Sequence, residues 1–142
     1  MSIRFASADI DFSLDKDILI KEWICKVITL HKKSVGNISY LFCSDEYIYN
    51  ANVRYLSHNT YTDIITFDSV TGNQISGDIL VSIERVEENA KCFSVSFEQE
   101  LYRVFIHGVL HLLGYKDKTE DDSKVMRRLE NESLEILSLM KH

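Results

Sequence analysis

Apolar and polar residues alternate from Ile3 to Ser7, the two-residue period of a strand with one buried face. Beyond it Ile18, Leu19, Trp23, Val27, Ile28 and Leu30 recur at helical spacing, with Ser13 or Asp15 as the cap, which predicts an amphipathic helix to about Lys33. Ser34-Val35-Gly36-Asn37 is turn chemistry, and the apolar run from Ile38 to Cys43 predicts a largely buried strand. Ser44, Asp45 and Glu46 then supply the cap and acidic first turn of a helix that carries Tyr47, Ile48, Ala51 and Tyr55 and ends near Leu56. Asp63 to Asp68 and Gly77 to Ile83 are rich in β-formers and flank the turn Thr71-Gly72-Asn73, which predicts an antiparallel hairpin. Ser82 can cap a following helix through Val86 and Ala90 to about Phe93.

From Ser96 onward, Phe97, Leu101, Val104, Phe105, Ile106, Val109, Leu110, Leu112 and Leu113 make a helix apolar on most sides, as a central element must be. One narrow polar stripe remains, with Glu100, Arg103, His107 and His111 at three- and four-residue steps, and such a stripe on a buried helix predicts the lining of a cleft. Thr119, with Asp122 three residues on, predicts the start of a terminal helix whose apolar face holds Val125, Met126, Leu129, Ile136, Leu137 and Met140. This order of elements predicts an α+β fold, a small mixed β-sheet with helices packed on it.

The 142 residues suit one domain, 1–142, without a linker. With 45% hydrophobic and 27% charged residues the chain is not of the disordered class, and no apolar run reaches bilayer length, so no membrane partner is expected. Met1 to Ala6 enters the first strand with no basic-then-apolar leader, which predicts a cytoplasmic protein. Cys25, Cys43 and Cys92, odd in number and set in apolar surroundings, read as reduced structural thiols. A net charge of -6 argues against coating nucleic acid through overall basicity, while leaving room for a local basic groove.

His107 and His111 stand four apart on the central helix, so their imidazoles lie one turn above each other and can converge on one point. Gly114 can take the left-handed conformation that ends a helix, and the chain then returns with Asp117. Two histidines and a carboxylate would hold one Zn2+ per chain with a fourth position open to water, which makes this a metal-binding helix of catalytic rather than structural type. The plainer alternative is a pair of satisfied core histidines. The spacing also matches the H-E-x-x-H-x-x-G-x-x-H pattern of metzincin peptidases, except that Gly108 stands where those enzymes carry the general-base Glu. Arg103, one turn before His107, and Lys116, beside Asp117, are candidate cations for a phosphate, with Arg103 the candidate catalytic residue. Tyr115 either stacks on a base or packs against the helix end.

The stretch His107-Gly-Val-Leu-His111-Leu-Leu-Gly114-Tyr115 closely resembles the H-G-x-L-H-L-x-G-Y-D-H signature of the YbeY-type endoribonucleases, metal-dependent rRNA maturation factors. Thr62-Asp63-Ile64-Ile65-Thr66-Phe67 is similar to that family's T-D-V-L-S-F strand, and Gly77-Asp78-Ile79 to its G-D-I strand opening. The resemblance implies zinc held by three ligands on and after the central helix. It also implies single-strand RNA cleavage in rRNA processing, by metal-activated water attacking a phosphodiester, with an rRNA precursor and a ribosomal subunit as partners. His107 and His111 carry over directly, whereas Asp117 stands where the family has a third His and can replace it as a zinc ligand. The family pattern N-x-x-Y-R-x-K-D-x-x-T-D aligns with Asn52 to Asp63, which puts Leu56 in place of a functional Arg and His58 in place of a Lys, with Arg54 pointing elsewhere on the helix. Two other functions fit the same residues, a metal-dependent peptidase and a non-catalytic ribosome-associated zinc-binding module.

Overall fold

The computed structural model describes residues 2–56 and 62–141, so the substitution at His58 lies outside the described residues. The elements are β1 (Ser2–Ser7), α1 (Asp17–Leu30), β2 (Ser34–Cys43), α2 (Asp45–Leu56), β3 (Ile64–Asp68), β4 (Gln74–Ser82), α3 (Ile83–Cys92), α4 (Phe97–Leu112) and α5 (Glu120–Met140). The sheet runs β1-β2-β4-β3, parallel except for β3, which pairs antiparallel with β4. This is the α+β mixed sheet that the pattern predicts. No helix of the described residues is long and apolar enough to cross a membrane.

The register sets Tyr40 beside Phe5 on one side and Ile79 on the other, and Phe42 beside Val81, so one sheet face is a continuous apolar surface. Helix α4 lies on that face. Phe105 is fully buried among the rings of Phe5, Tyr40 and Phe42 at centroid distances of 4.9 to 6.0 Å. The Tyr40 hydroxyl, carried into the core with its ring, donates to the Phe105 carbonyl at 3.0 Å, which avoids the penalty of an unpaired buried polar group. On the opposite face Cys43, Ile65 and Leu80 pack against Ile48 and Ala51 of α2. Burial of both faces is why β2 and β4 read as near-continuous apolar runs instead of alternating ones.

Three local expectations shift, the first at β4, which starts at Gln74 instead of Gly77 and leaves Ile83 to α3. Neither Ser13 nor Asp15 caps α1: the N-cap is Lys16, without a side-chain bond, and Asp17 instead accepts from the Ile18 amide at 2.9 Å. The connecting chain is held upstream, where Phe12 packs edge-on against Phe42 and Phe97, so the helix starts later than the capping residues suggest. Ser34 to Asn37 is not a turn but the start of β2, with an irregular register between Val35 and Ile38. Gly36 serves a close approach there, since a Cβ would fall 2.0 Å from the Ser76 hydroxyl. The turn itself lies earlier, at Lys32, with a φ of 62°.

Candidate metal centre

Helix α4 is anchored at both ends, which fixes the rotation of its polar stripe. At its start Ser96 and Gln99 form a reciprocal capping box, with bonds of 3.1 and 2.9 Å. At its end Gly114 takes a φ of 106°, the Gly114 amide bonds to the His111 carbonyl, and the Tyr115 amide bonds to the Leu110 carbonyl, each at 3.0 Å. This pair of bonds is the Schellman arrangement, and Tyr115 packs on Leu110 as the arrangement favours. Tyr115 also meets His31 edge-on, a packing contact at the helix end. The reversal brings Asp117 back over the last turn of α4. Thr119 then caps α5, accepting from the Asp122 amide at 3.0 Å as its spacing predicts.

The result is a convergence of three side chains. His107 Nε2 and His111 Nε2 are 3.0 Å apart, and Asp117 Oδ2 lies 3.4 Å from the first and 3.5 Å from the second. One ligand atom from each falls within 4.8 Å of the others, so the trio can hold a metal ion. All three remain partly accessible, and His107 and Asp117 line a cavity of about 290 Å³ together with Asp63, Glu100, Arg103, Arg127 and Glu130. Glu100, Arg103 and His107 of the stripe predicted on α4 are therefore in the wall of a cleft.

Arg103 is in that wall but is not paired with Glu100. Its guanidinium donates to Glu130 Oε1 and Asn131 Oδ1 of α5, both at 3.0 Å. Glu130, buried in the helix interface, also receives His107 Nδ1 through Oε2 at 2.6 Å. Neither Glu130 nor Arg127 is found by reading local spacing, because Glu130 lies 23 residues from His107. A usable signal was its position on the buried stripe Met126, Leu129, Ser133 and Leu137, where an unpaired carboxylate is not tolerated. Lys116, the other candidate cation, is exposed and does not line the cavity.

The charges of the cleft are coupled. Burial pushes the His107 pKa down, but the bond to Glu130 and the carboxylates of Glu130, Asp117 and Asp63 outweigh it and raise the net value. His111 is lowered, by burial and by the neighbouring His107. Burial acts to raise Glu130, yet its bonds to His107 and Arg103 hold it below the ordinary carboxylate range. Glu100 is raised, first by burial and then by Asp63. A carboxyl group raised in the folded state favours folding below its unfolded pKa, and that contribution is lost as pH rises through the folded value. Glu100→Gln, which is neutral at every pH, is thus expected to raise Tm at pH 7, with the gain closing as pH falls through and below the carboxylate range. Thermal melts of both proteins from pH 7 to pH 3 measure this, and a destabilised Glu100→Gln at pH 7 would contradict it.

Comparison with known proteins agrees with this geometry. Residues 4–138 match the sequence profile of the family described as Endoribonuclease YbeY. The chain belongs to that family. Proteins named Endoribonuclease YbeY from Flavobacterium johnsoniae and Christiangramia forsetii are 54% and 49% identical over 124 and 132 residues. These matches cover 87% and 93% of this chain and 89% and 92% of the relatives. A solution structure of a Thermotoga maritima protein shares the fold with a TM-score of 0.67 and 28% identity, covering 96% of this chain and 89% of that one. In this YbeY-family chain Leu56, at the position of the family Arg, ends α2 partly exposed, and the Arg54 guanidinium lies 5.9 Å from the centroid of the Tyr55 ring.

Proposed function

We propose that this chain is a zinc-dependent hydrolase, an endoribonuclease that cleaves single-stranded RNA in the maturation of ribosomal RNA, acting in the cytoplasm on an rRNA precursor and in contact with a ribosomal subunit. The convergence of His107, His111 and Asp117 in an open cleft, in a YbeY-family chain, carries this reading. The donor set fits zinc. Bonds of about 2.0–2.1 Å at tetrahedral angles separate ligand atoms by about 3.3 Å, against 3.0, 3.4 and 3.5 Å here. Bound by these three residues, the ion would supply Lewis acidity and an acidified water for attack on a phosphodiester.

The chain's own residues supply orientation and charge. Arg103, fixed by Glu130 and Asn131, is a preorganised cation in the wall beside His107, and its remaining N–H groups are available to phosphoryl oxygens. Arg127, more exposed and 3.7 Å from Glu130, adds a second cation on the same wall. Arg103→Ala is expected to lower kcat/KM for RNA cleavage by about 10- to 100-fold, the worth of one or two charge-assisted hydrogen bonds, with a full equivalent of metal still bound. Kinetics and elemental analysis on the same preparation decide it, and wild-type kinetics in the variant would remove Arg103 from the reaction.

A peptidase reading is disfavoured by Gly108, because the general-base Glu of that pattern is missing and a side chain at this position would press on Ile64 and Ile79 of the sheet. A closed structural zinc site is disfavoured because the described residues offer three ligands, with no fourth to complete a tetrahedron. The test compares purified wild type with Asp117→Ala. The wild type should carry one equivalent of zinc, cleave single-stranded RNA, lose that activity to a chelator and leave protein substrates intact. Asp117→Ala should fall well below one equivalent and lose cleavage in parallel. A metal-free wild type with unchanged RNA cleavage, or one that cuts protein, overturns the proposal.

A further inference from the structure

We propose that Glu130 is a positioning residue of the metal centre, fixing His107 in the Nδ1–H tautomer so that the Nε2 lone pair points at the ion. This rests on the metal-dependent reading above. A carboxylate has no proton to give, so the 2.6 Å contact requires His107 Nδ1 to donate to Glu130 Oε2. In the neutral ring the other nitrogen must then be the acceptor, and that nitrogen, Nε2, is the one within 3.0 Å of His111 and 3.4 Å of Asp117. Each oxygen of Glu130 has its own task. Oε2 takes the imidazole, while Oε1 takes the Arg103 guanidinium at 3.0 Å, with Arg127 behind it at 3.7 Å. Both oxygens are thus partnered although the carboxylate is only 5% exposed.

The carboxylate is held in place independently of the metal ligands. Met126 and Leu129 of α5 pack with Leu110, the buried Trp23 donates to the Ser133 carbonyl at 2.7 Å, and Leu137 is in the main core. Docking of α5 thus rests on apolar contacts and a distant hydrogen bond, and Glu130 arrives as a preformed acceptor. Such outer partners of a metal-bound imidazole typically set its affinity by about 10- to 100-fold.

The test uses the whole chain in wild type, Glu130→Ala, Glu130→Gln and Asn131→Ala. Zinc affinity is read by competition with a chromophoric chelator, the nitrogen that holds zinc by 15N NMR of the loaded chain, and the His107 tautomer by 15N NMR of the metal-free chain at alkaline pH, where a bound ion does not itself dictate it. Glu130→Ala should bind zinc about 10- to 100-fold more weakly and lose the uniform Nδ1–H signature. Glu130→Gln, whose amide oxygen can still accept Nδ1–H, should recover most of the affinity and keep the tautomer. Asn131→Ala removes the other Arg103 anchor without touching His107 and should bind zinc as wild type does. Wild-type affinity in Glu130→Ala, equal losses in the Ala and Gln variants, equal losses in Glu130→Ala and Asn131→Ala, or metal bound through Nδ1 in the wild type would each overturn the assignment. If Glu130→Ala does not fold, the tautomer in Glu130→Gln decides. A wild type that binds no metal fails the underlying reading instead, so the two failures are distinguishable.

Discussion

With His107 and His111 both replaced by Ala, the chain will retain no stoichiometric metal and will cleave single-stranded RNA slower by about 10³-fold or more. The ion's stabilisation of charge in the transition state is worth several kcal/mol, and each 1.36 kcal/mol is tenfold in rate. Asp117 alone cannot hold the ion, because its side chain is 45% exposed and water competes for a single carboxylate. The fold should survive. His107 lines the cleft and His111 is likewise only half-buried, and Glu130 keeps Arg103 as a partner when His107 is gone. Elemental analysis, RNA cleavage kinetics and a thermal melt on one preparation measure the three parts of this expectation. A folded double variant with a full equivalent of metal would show that the ion sits elsewhere.

The second large effect is expected at Gly108, where restoring the peptidase pattern should unfold the protein. A Cβ there would stand 3.0 Å from Ile64 Cδ1 and 3.1 Å from Ile79 Cδ1. Gly108→Ala meets the Cδ1 ends of Ile64 and Ile79 and also the Cγ2 branch of Ile79 at 3.3 Å. An overpacking cost near 1 kcal/mol is offset by a gain in helix propensity of about the same size. Gly108→Glu instead drives a longer, charged side chain against Ile64 and Ile79, between α4 and the sheet. An uncompensated buried charge costs about 3–5 kcal/mol, a large part of the total stability of such a domain. Tm should fall by on the order of 10–20 °C, and no proteolysis should appear. A Gly108→Glu chain that melts with the wild type, or that digests casein, would mean that position 108 can reach the cleft.

This contrast marks how far the metal signature could be read without coordinates. The spacing of His107, His111 and Asp117 around Gly114 brings three potential ligands together because a helix period and a left-handed cap are local geometries. The residue between the histidines is different. Whether position 108 faces substrate or sheet depends on how α4 is rotated against Ile64 and Ile79, which its own periodicity leaves open over a largely apolar circumference.

The element order, the hairpin at Gly72, the start of α4 at Ser96, the Thr119 cap and the α4 stripe were all legible, since each is set by residues within a few positions of one another. The start of α1 and the extension of β2 to Ser34 were not, because aromatic packing by Phe12 and the close approach of Ser76 to Gly36 override local turn and cap preferences. The same limit applies at the site. The sequence by itself determined that His107, His111 and Asp117 come together as a group that can hold a metal ion, because one helical turn and one reversal bring them together. Only the tertiary structure decided that Arg103 pairs with Glu130 instead of Glu100, and that α5 sets a buried carboxylate against His107, because those contacts join helices whose relative placement comes from apolar packing.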